Sequence, residues 1–185
     1  MHPTFSLEIQ TESSDGDNTK KNWGMGGHQG EMQKDEWLTP PDLLRALGEF
    51  DLDPSSPIDR PWPTAKRHLT ILDNGLAQDW GNSRVWLNPP YGRETQKWMR
   101  KMAEHNHGTA LIFARTETGT WHDWVWPHAS SILFLRGRIN FYHVSGKQAP
   151  KNAGAPSALI SYGRKDAEIL KNCKLPGKWI NLNNP

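Results

Sequence analysis

The stretch Arg84-Val85-Trp86-Leu87-Asn88-Pro89-Pro90-Tyr91-Gly92 decides how this chain is read. Its first four residues form a short apolar run of the kind that fills a buried strand. A strand that ends in Asn-Pro-Pro-aromatic carries unusual chemistry. Each proline removes a backbone donor and fixes φ. Two in succession stiffen the corner and leave carbonyl oxygens without sheet partners. The Asn88 side chain adds another carbonyl acceptor, and Tyr91 adds a flat ring. Together they make a site that accepts two hydrogens from a planar NH2 group and stacks on the ring that bears it. That suits an amino-substituted base or an amide. An isolated Pro-Pro turn reads as a rigid turn with Asn as a local cap. The four residues in this order, after an apolar strand and before a helix, read as a functional corner.

Outward from the corner, apolar runs predict strands over 50–53, 84–87, 109–114, 131–135, 137–141 and 158–162. Thr39 is placed as a helix N-cap, with Pro40 at the first helical position and Asp42 in the first turn. That helix runs to Leu47 with Leu43, Leu44 and Leu47 on one face, and it stops at Gly48. Further helices are expected over 94–107, 120–126 and 167–172. Residues 57–70 hold three prolines and read as loop, 73–76 as a turn, and 143–155 as a Gly/Lys/Pro loop. Strands alternating with helices imply an α/β fold with a mostly parallel sheet. The last strands lack long connecting helices, which implies an antiparallel edge. Ligands of such sheets bind outside the carboxyl ends of the strands. Asp53 and Asn88, both at expected strand ends, are therefore placed on one crevice.

Composition bounds the rest. The 185 residues suffice for one domain with a real core. Residues 1–34, rich in Ser, Thr, Asp, Asn, Lys and Gly, read as a disordered N-terminal arm. Residues 35–163 read as the folded domain and 164–185 as a polar C-terminal tail. A net charge of +2 and a pI near 8.7 permit nucleic-acid binding without demanding it. Ten tryptophans are many for this length, and packing is their default role. Cys173 is the only cysteine, which excludes an intrachain disulfide and a cysteine zinc site and fits a reducing cytoplasm. No apolar run approaches the roughly 20 residues of a membrane helix, and the first residues lack the pattern of a signal peptide. His105 and His107 lie near an expected helix end without a carboxylate cluster and read as surface histidines; no metal is expected.

Five elements occur in a fixed order: Trp37-Leu38-Thr39-Pro40-Pro41, Leu52-Asp53-Pro54, Asn74-Gly75-Leu76 with Asp79-Trp80, Asn88-Pro89-Pro90-Tyr91-Gly92, and Gly137-Arg138-Ile139-Asn140-Phe141. In this order they resemble the phage N-6-adenine DNA methyltransferase family, the Dam-like enzymes of bacteriophages and prophages, over residues 23–163. The Asn-Pro-Pro-Tyr element alone is shared with amino-methyltransferases acting on DNA, RNA and protein glutamine. The resemblance implies a Rossmann-like AdoMet-dependent methyltransferase fold, S-adenosylmethionine (AdoMet) as methyl donor, and a flipped-out adenine in double-stranded DNA as acceptor. It makes 35–163 the methyltransferase domain and, for a phage or prophage protein, places it in the cytoplasm of a bacterial host; a monomer is the simplest expectation for a chain of this size.

The resemblance also implies roles. Asn88, Pro89, Pro90 and Tyr91 would be the catalytic set, holding the amino group and stacking on the base. Trp37, Thr39, Pro40, Asp53 and Pro54 would bind AdoMet, and so would Asp73 or Asn74, either of which can reach the cofactor's adenine. Asp53-Pro54-Ser55-Ser56-Pro57 stands where most AdoMet enzymes carry a Gly-rich turn. Arg93, Arg115, Arg136, Arg138, Lys147 and Lys151 are candidate DNA contacts, with solvated charged loops as the other reading. Two further functions stand beside the leading one: an amino-methyltransferase acting on RNA or protein glutamine, and a catalytically inactive DNA-binding module.

Overall fold

Alternate residues of the apolar strands face opposite ways, and helices cover both faces. The computed structural model describes residues 37–182, so the expected arm at 1–34 lies outside the described residues. The chain runs β1 (Trp37–Leu38), α1 (Pro41–Leu47), β2 (Leu52–Asp53), β3 (Arg67–His68), β4 (Val85–Leu87), α2 (Thr95–His105), β5 (Gly108–Phe113), a π-helical turn (Trp121–Val125), β6 (Ser131–Leu135), β7 (Tyr142–His143), β8 (Ser157–Tyr162), α3 (Arg164–Asn172) and β9 (Gly177–Asn181). Val85, Leu87 and Ile112 pack with Met99 and Met102 of α2 and Trp121 of the π-turn. Trp86, Leu111 and Leu159 pack on the other side with Leu44 and Leu47 of α1 and Leu170 of α3. Each fully buried large apolar side chain contributes about 1.5–3 kcal/mol. Burial on both faces, more than strand propensity, therefore holds strands as short as β2 and β4 in place.

The main sheet has seven strands in the order β3-β2-β4-β5-β8-β6-β9. The β3-β2, β2-β4 and β4-β5 pairs are parallel. The β5-β8, β8-β6 and β6-β9 pairs are antiparallel. The antiparallel part is thus half of the sheet rather than an edge. The chain steps outward from β2 to β3, then crosses back to β4 on the other side of β2. Such a reversal opens a crevice at the carboxyl ends of the strands that flank it, here at Asp53 of β2 and Leu87 of β4.

At the opposite end of the same strands lies a buried ion pair. Arg84 Nε and Nη2 donate to Asp166 Oδ1 of α3 at 2.9 and 2.8 Å, and both side chains are almost fully enclosed. Thr109 donates its hydroxyl to the same oxygen at 3.2 Å. The guanidinium also donates to the carbonyls of Leu47, the last residue of α1, and of Glu49 beyond it, and lies over the Phe50 ring. One residue thereby joins α1, β4, β5 and α3.

Four expectations are corrected. Thr39 does not cap α1: Pro40 is the cap, Pro41 opens the helix, and the Pro40 carbonyl accepts the Leu43 and Leu44 N–H groups. Residues 137–141 form no strand. The Ile139 and Phe141 carbonyls accept single bonds from Ala153 and Ala149 within a loop, and the short strand nearby is β7, which pairs with β1. The 57–70 loop contains β3. The stretch expected as a polar tail carries the helix expected over 167–172, as α3, and also a strand that was not expected, β9, which pairs with β6 in the main sheet. His105 and His107 close the loop before β4, sharing hydrogen bonds with the Ser83 and Asn82 carbonyls at 2.8 and 3.2 Å.

Removing one partner of a buried ion pair leaves an uncompensated charge. Asp166→Ala is therefore expected to lower the unfolding free energy by about 3–5 kcal/mol in urea titrations at neutral pH. A loss below about 1 kcal/mol, the range of exposed pairs, would contradict the buried network.

Candidate active site

The corner after β4 is held from three sides. The Asn88 Nδ2 group donates to the Trp37 carbonyl of β1 at 3.3 Å, which fixes the amide's orientation. Its Oδ1 accepts only a long 3.5 Å hydrogen bond from the Tyr91 hydroxyl and keeps acceptor capacity to spare. The Asn88 main-chain carbonyl accepts the Ser55 hydroxyl at 3.0 Å. The Pro90 carbonyl accepts the Thr95 hydroxyl at 2.8 Å, at the start of α2. That removes one of the two proline carbonyls expected to be free. The Pro89 carbonyl has no hydrogen bond among the described residues. Two acceptors thus stay open at the corner: Asn88 Oδ1 and Pro89 O. Gly92, with φ of 119°, lets the chain turn away immediately after Tyr91.

Tyr91 keeps 38% of its surface exposed. One face of its ring stacks on Phe113 at the end of β5, with centroids 4.1 Å apart and planes 18° from parallel. Desolvation raises the Tyr91 phenol above its ordinary range, so the hydroxyl stays protonated. The Arg115 guanidinium lies 5.6 Å from the Phe113 centroid. The Trp121 indole N–H donates to the Phe113 carbonyl at 3.0 Å and anchors that strand end. Phe113, Ser55 and Thr95 have no sequence signal of their own, because their partners come from distant elements.

Across the crevice, Asp53 is 3% exposed. Its Oδ1 accepts the Ser55 N–H at 3.1 Å and its Oδ2 accepts the Thr64 hydroxyl. Burial pushes its carboxyl up to about 6, against the lowering effect of those two bonds and of the Arg60 charge. His68 supports Thr64: its Nε2 accepts the Thr64 and Ala65 N–H groups at 3.1 and 3.3 Å. Desolvation lowers the His68 pKa, which agrees with a neutral ring whose Nε2 carries no proton. Thr39 is buried and its hydroxyl has no partner among the described residues. Its carbonyl accepts the Trp62 indole N–H at 3.2 Å.

The 73–76 turn comes to the same end of the sheet because Gly75 packs against the backbone of Pro54; any Cβ there would overlap the Pro54 carbonyl. Lys101 of α2 clamps the turn by donating to the carbonyls of Gly75, Leu76 and Gln78. Of the two candidates in this turn, Asp73 is engaged locally, accepting the Thr70 N–H and hydroxyl at 2.7 and 2.9 Å. Those bonds lower its pKa. Asn74 is exposed, with φ of 51°.

The expected basic contacts divide by position. The 136–156 loop leaves the carboxyl end of β6 and returns to the start of β8, which pairs with the end of β5 at Phe113↔Ser157. The loop therefore sits on the crevice end of the sheet. It contains Arg136, Arg138, Lys147 and Lys151 and no Asp or Glu. Its β7 segment pairs with Trp37, the residue that holds Asn88. Arg138 is engaged with the Ala153 carbonyl at 3.0 Å, whereas Lys147, Lys151 and Arg136 are exposed. Arg93 is exposed directly after the corner.

The chain is a mixed α/β protein whose neutral acceptor corner and buried carboxyl both lie at the reversal point of its sheet, the place where open α/β sheets bind their ligands. The model of the family described as DNA N-6-adenine-methyltransferase (Dam) matches residues 26–171, and the chain belongs to that family. It is also similar to the DNA N-6-adenine-methyltransferase of Escherichia phage T1, 27% identical over 130 residues that cover 63% of this chain and 53% of the phage protein. The chain thus spans about half the length of this curated relative. No solved structure matches it.

The Asp53 carboxyl yields a pH prediction. Its folded-state value, about 6, lies above the ordinary 3.8, so the fold binds a proton more tightly than the unfolded chain. The stability due to this group is full below the ordinary value and is lost as pH rises through about 6. The loss is roughly 2–3 kcal/mol at 1.36 kcal/mol per pH unit. Asp53→Asn removes it. The variant's stability relative to wild type, from urea unfolding, should therefore improve by roughly 2 kcal/mol between pH 4 and pH 7.5. A pH-independent difference would show that the carboxyl titrates normally.

Proposed function

We propose that this chain is a site-selective DNA adenine N6-methyltransferase with a Rossmann-like methyltransferase fold, using AdoMet and acting on an adenine turned out of the duplex. The pair of open acceptors at Asn88 Oδ1 and Pro89 O carries this reading. Family membership supports it.

The adenine amino group is a weak nucleophile because its lone pair is delocalised into the ring. Two acceptors on its hydrogens draw the nitrogen toward a pyramidal geometry and stabilise the positive charge that develops on attack. This is the inverse of an oxyanion hole, where removing one preorganised dipole costs about 3–4 kcal/mol. The hydrogen bond to the Trp37 carbonyl keeps Oδ1, not Nδ2, toward the amine. Neither acceptor is a strong base, so the released proton passes to water after transfer. Tyr91, rigidified by Phe113, offers a flat face to the base. Stacking of that kind offsets about 1–3 kcal/mol of the cost of leaving the helix.

The residues across the crevice suit AdoMet. The unpartnered Thr39 hydroxyl and the desolvated Asp53 carboxylate are polar groups with hydrogen-bonding capacity to spare at this end of the sheet. Thr39, Pro40 and Trp37 on one side, Asp53 and Pro54 on the other, and Asn74 in place of the locally engaged Asp73 would hold it. When bound, AdoMet supplies an electrophilic methyl group on a sulfonium centre. The acid-free loop with Arg136, Lys147 and Lys151, together with Arg93 and Arg115, would meet DNA phosphates, which makes duplex binding weaken as salt rises.

The deciding experiment follows labelled methyl from AdoMet into duplex DNA, RNA and protein in parallel. Label is expected in DNA adenine. Asn88→Ala should lose methyl transfer by at least about a hundredfold while its AdoMet affinity, from calorimetry, changes by less than about threefold. Wild-type turnover by Asn88→Ala, or label found only in RNA or protein, would end the assignment.

A further inference from the structure

We propose that Ser55 is a positioning residue for methyl transfer. Its hydroxyl sets the angle of the Asn88–Pro89 peptide plane, and its amide ties that angle to the Asp53 carboxylate. The inference deepens the methyltransferase reading above and rests on it.

The geometry is specific. Ser55 Oγ donates to the Asn88 carbonyl at 3.0 Å, a bond between residues 33 apart in sequence. Ser55 N–H donates to Asp53 Oδ1 at 3.1 Å. The peptide between Asn88 and Pro89 lies beyond the end of β4, and Pro89 has no N–H. Among the described residues only the Ser55 hydroxyl bonds this plane. Rotation about ψ of Asn88 would swing it, and the rigid φ of Pro89 would carry the Pro89 carbonyl along. The two acceptors are therefore aimed by separate supports. The Trp37 carbonyl holds the side-chain amide, and Ser55 holds the backbone.

A turn-forming role explains only half of this. The Ser55 amide closes a local turn on Asp53, but any residue other than proline supplies an N–H. The hydroxyl's bond across the crevice is a separate feature. The neighbouring Ser56 shows the contrast, since its hydroxyl bonds only the adjacent Pro57 carbonyl at 3.2 Å. Ser55 is the one described residue that contacts both Asp53 of the expected cofactor wall and the acceptor corner by hydrogen bonds. Through it, closure of the cofactor wall and aim of the amine acceptors become one geometric unit.

The test compares wild type with Ser55→Ala, Ser55→Thr and Ser55→Val, measuring kcat for methyl transfer to adenine-containing duplex DNA and AdoMet dissociation constants by calorimetry. Thr and Val have nearly the same shape and differ in the hydroxyl, so their comparison does not depend on how well the Ala variant folds. The expected result is that Ala and Val lower kcat about ten- to fiftyfold while AdoMet affinity stays within about threefold, and that Thr restores most of kcat. Full kcat in Ala or Val would overturn the proposal. So would equal losses in Thr and Val, which would mark a packing role. An inert wild type in the same assay would defeat the methyltransferase reading itself, and the inference with it. That outcome is distinct from an active wild type indifferent to Ser55.

Discussion

Arg84 fixes the register between β2 and β4, and the crevice depends on that register. Its main-chain carbonyl accepts the Asp51 and Leu52 N–H groups at 2.8 and 3.3 Å, and its own N–H donates to the Asp51 carboxylate at 3.0 Å. Its side chain is locked to α1 and to Asp166 of α3. The four steps from Arg84 to Asn88 span only about 13 Å at about 3.3 Å each. A slip of β4 at its base would move Asn88 away from Ser55 by the same amount. With one bridging register pair between the two strands, Leu52↔Val85, the ladder alone is a weak restraint. The buried guanidinium stiffens it. The charged network is thus placed at one end of the sheet so that the other end can carry polar groups in a fixed relation.

That other end is under-satisfied by the fold. Asp53 is desolvated, the Thr39 hydroxyl lacks a partner among the described residues, and the Pro89 carbonyl is unbonded. Buried polar groups without partners cost free energy. Unpartnered side-chain atoms are not peculiar to these groups: the indole N–H groups of Trp86, Trp124 and Trp179, the Ser157 hydroxyl and Asp166 Oδ2 also lack partners among the described residues. An orphaned atom by itself therefore marks nothing. The distinction is convergence, since two such groups, the Thr39 hydroxyl and the Pro89 carbonyl, lie with the desolvated Asp53 carboxyl at the reversal point of one sheet, where a ligand can supply what the fold withholds.

The corner was legible in the sequence because its chemistry is local. Asn88, two prolines and Tyr91 follow one another, and the apolar run before them could only be a buried strand. The two-faced strands β5 and β8 were legible for the same reason. The rest depended on contacts between distant residues. Ile139 and Phe141 alternate like a strand, yet both are buried as loop anchors in the cluster that includes α1, and the same period-two signal arises. β9 was invisible because Gly-Lys-Trp-Ile-Asn is an edge strand with most of its residues exposed, which gives no apolar pattern. Thr39 followed by Pro40 looked like cap and first turn, but the second proline, Pro41, takes the first helical position and shifts the cap by one. Ser55 and Phe113 carry no signature until the fold brings them to Asn88 and Tyr91.

The prolines also explain why the acceptors are neutral and still available. Ordinary residues after β4 would extend its ladder and consume their carbonyls in the sheet. Pro89 and Pro90 cannot donate, so the ladder stops. Thr95 then takes the Pro90 carbonyl, which leaves Pro89's as the open one. On the proposed reading, neutrality matters as much as availability. A carboxylate at this corner would carry a full charge that has to be desolvated before any positive charge has formed on the amine. An amide oxygen and a peptide carbonyl interact weakly with a neutral amine and more strongly as charge grows on it. Interactions that strengthen only as the transition state forms raise turnover, whereas uniform binding does not. Two fixed dipoles meet that requirement without a proton having to be placed beforehand.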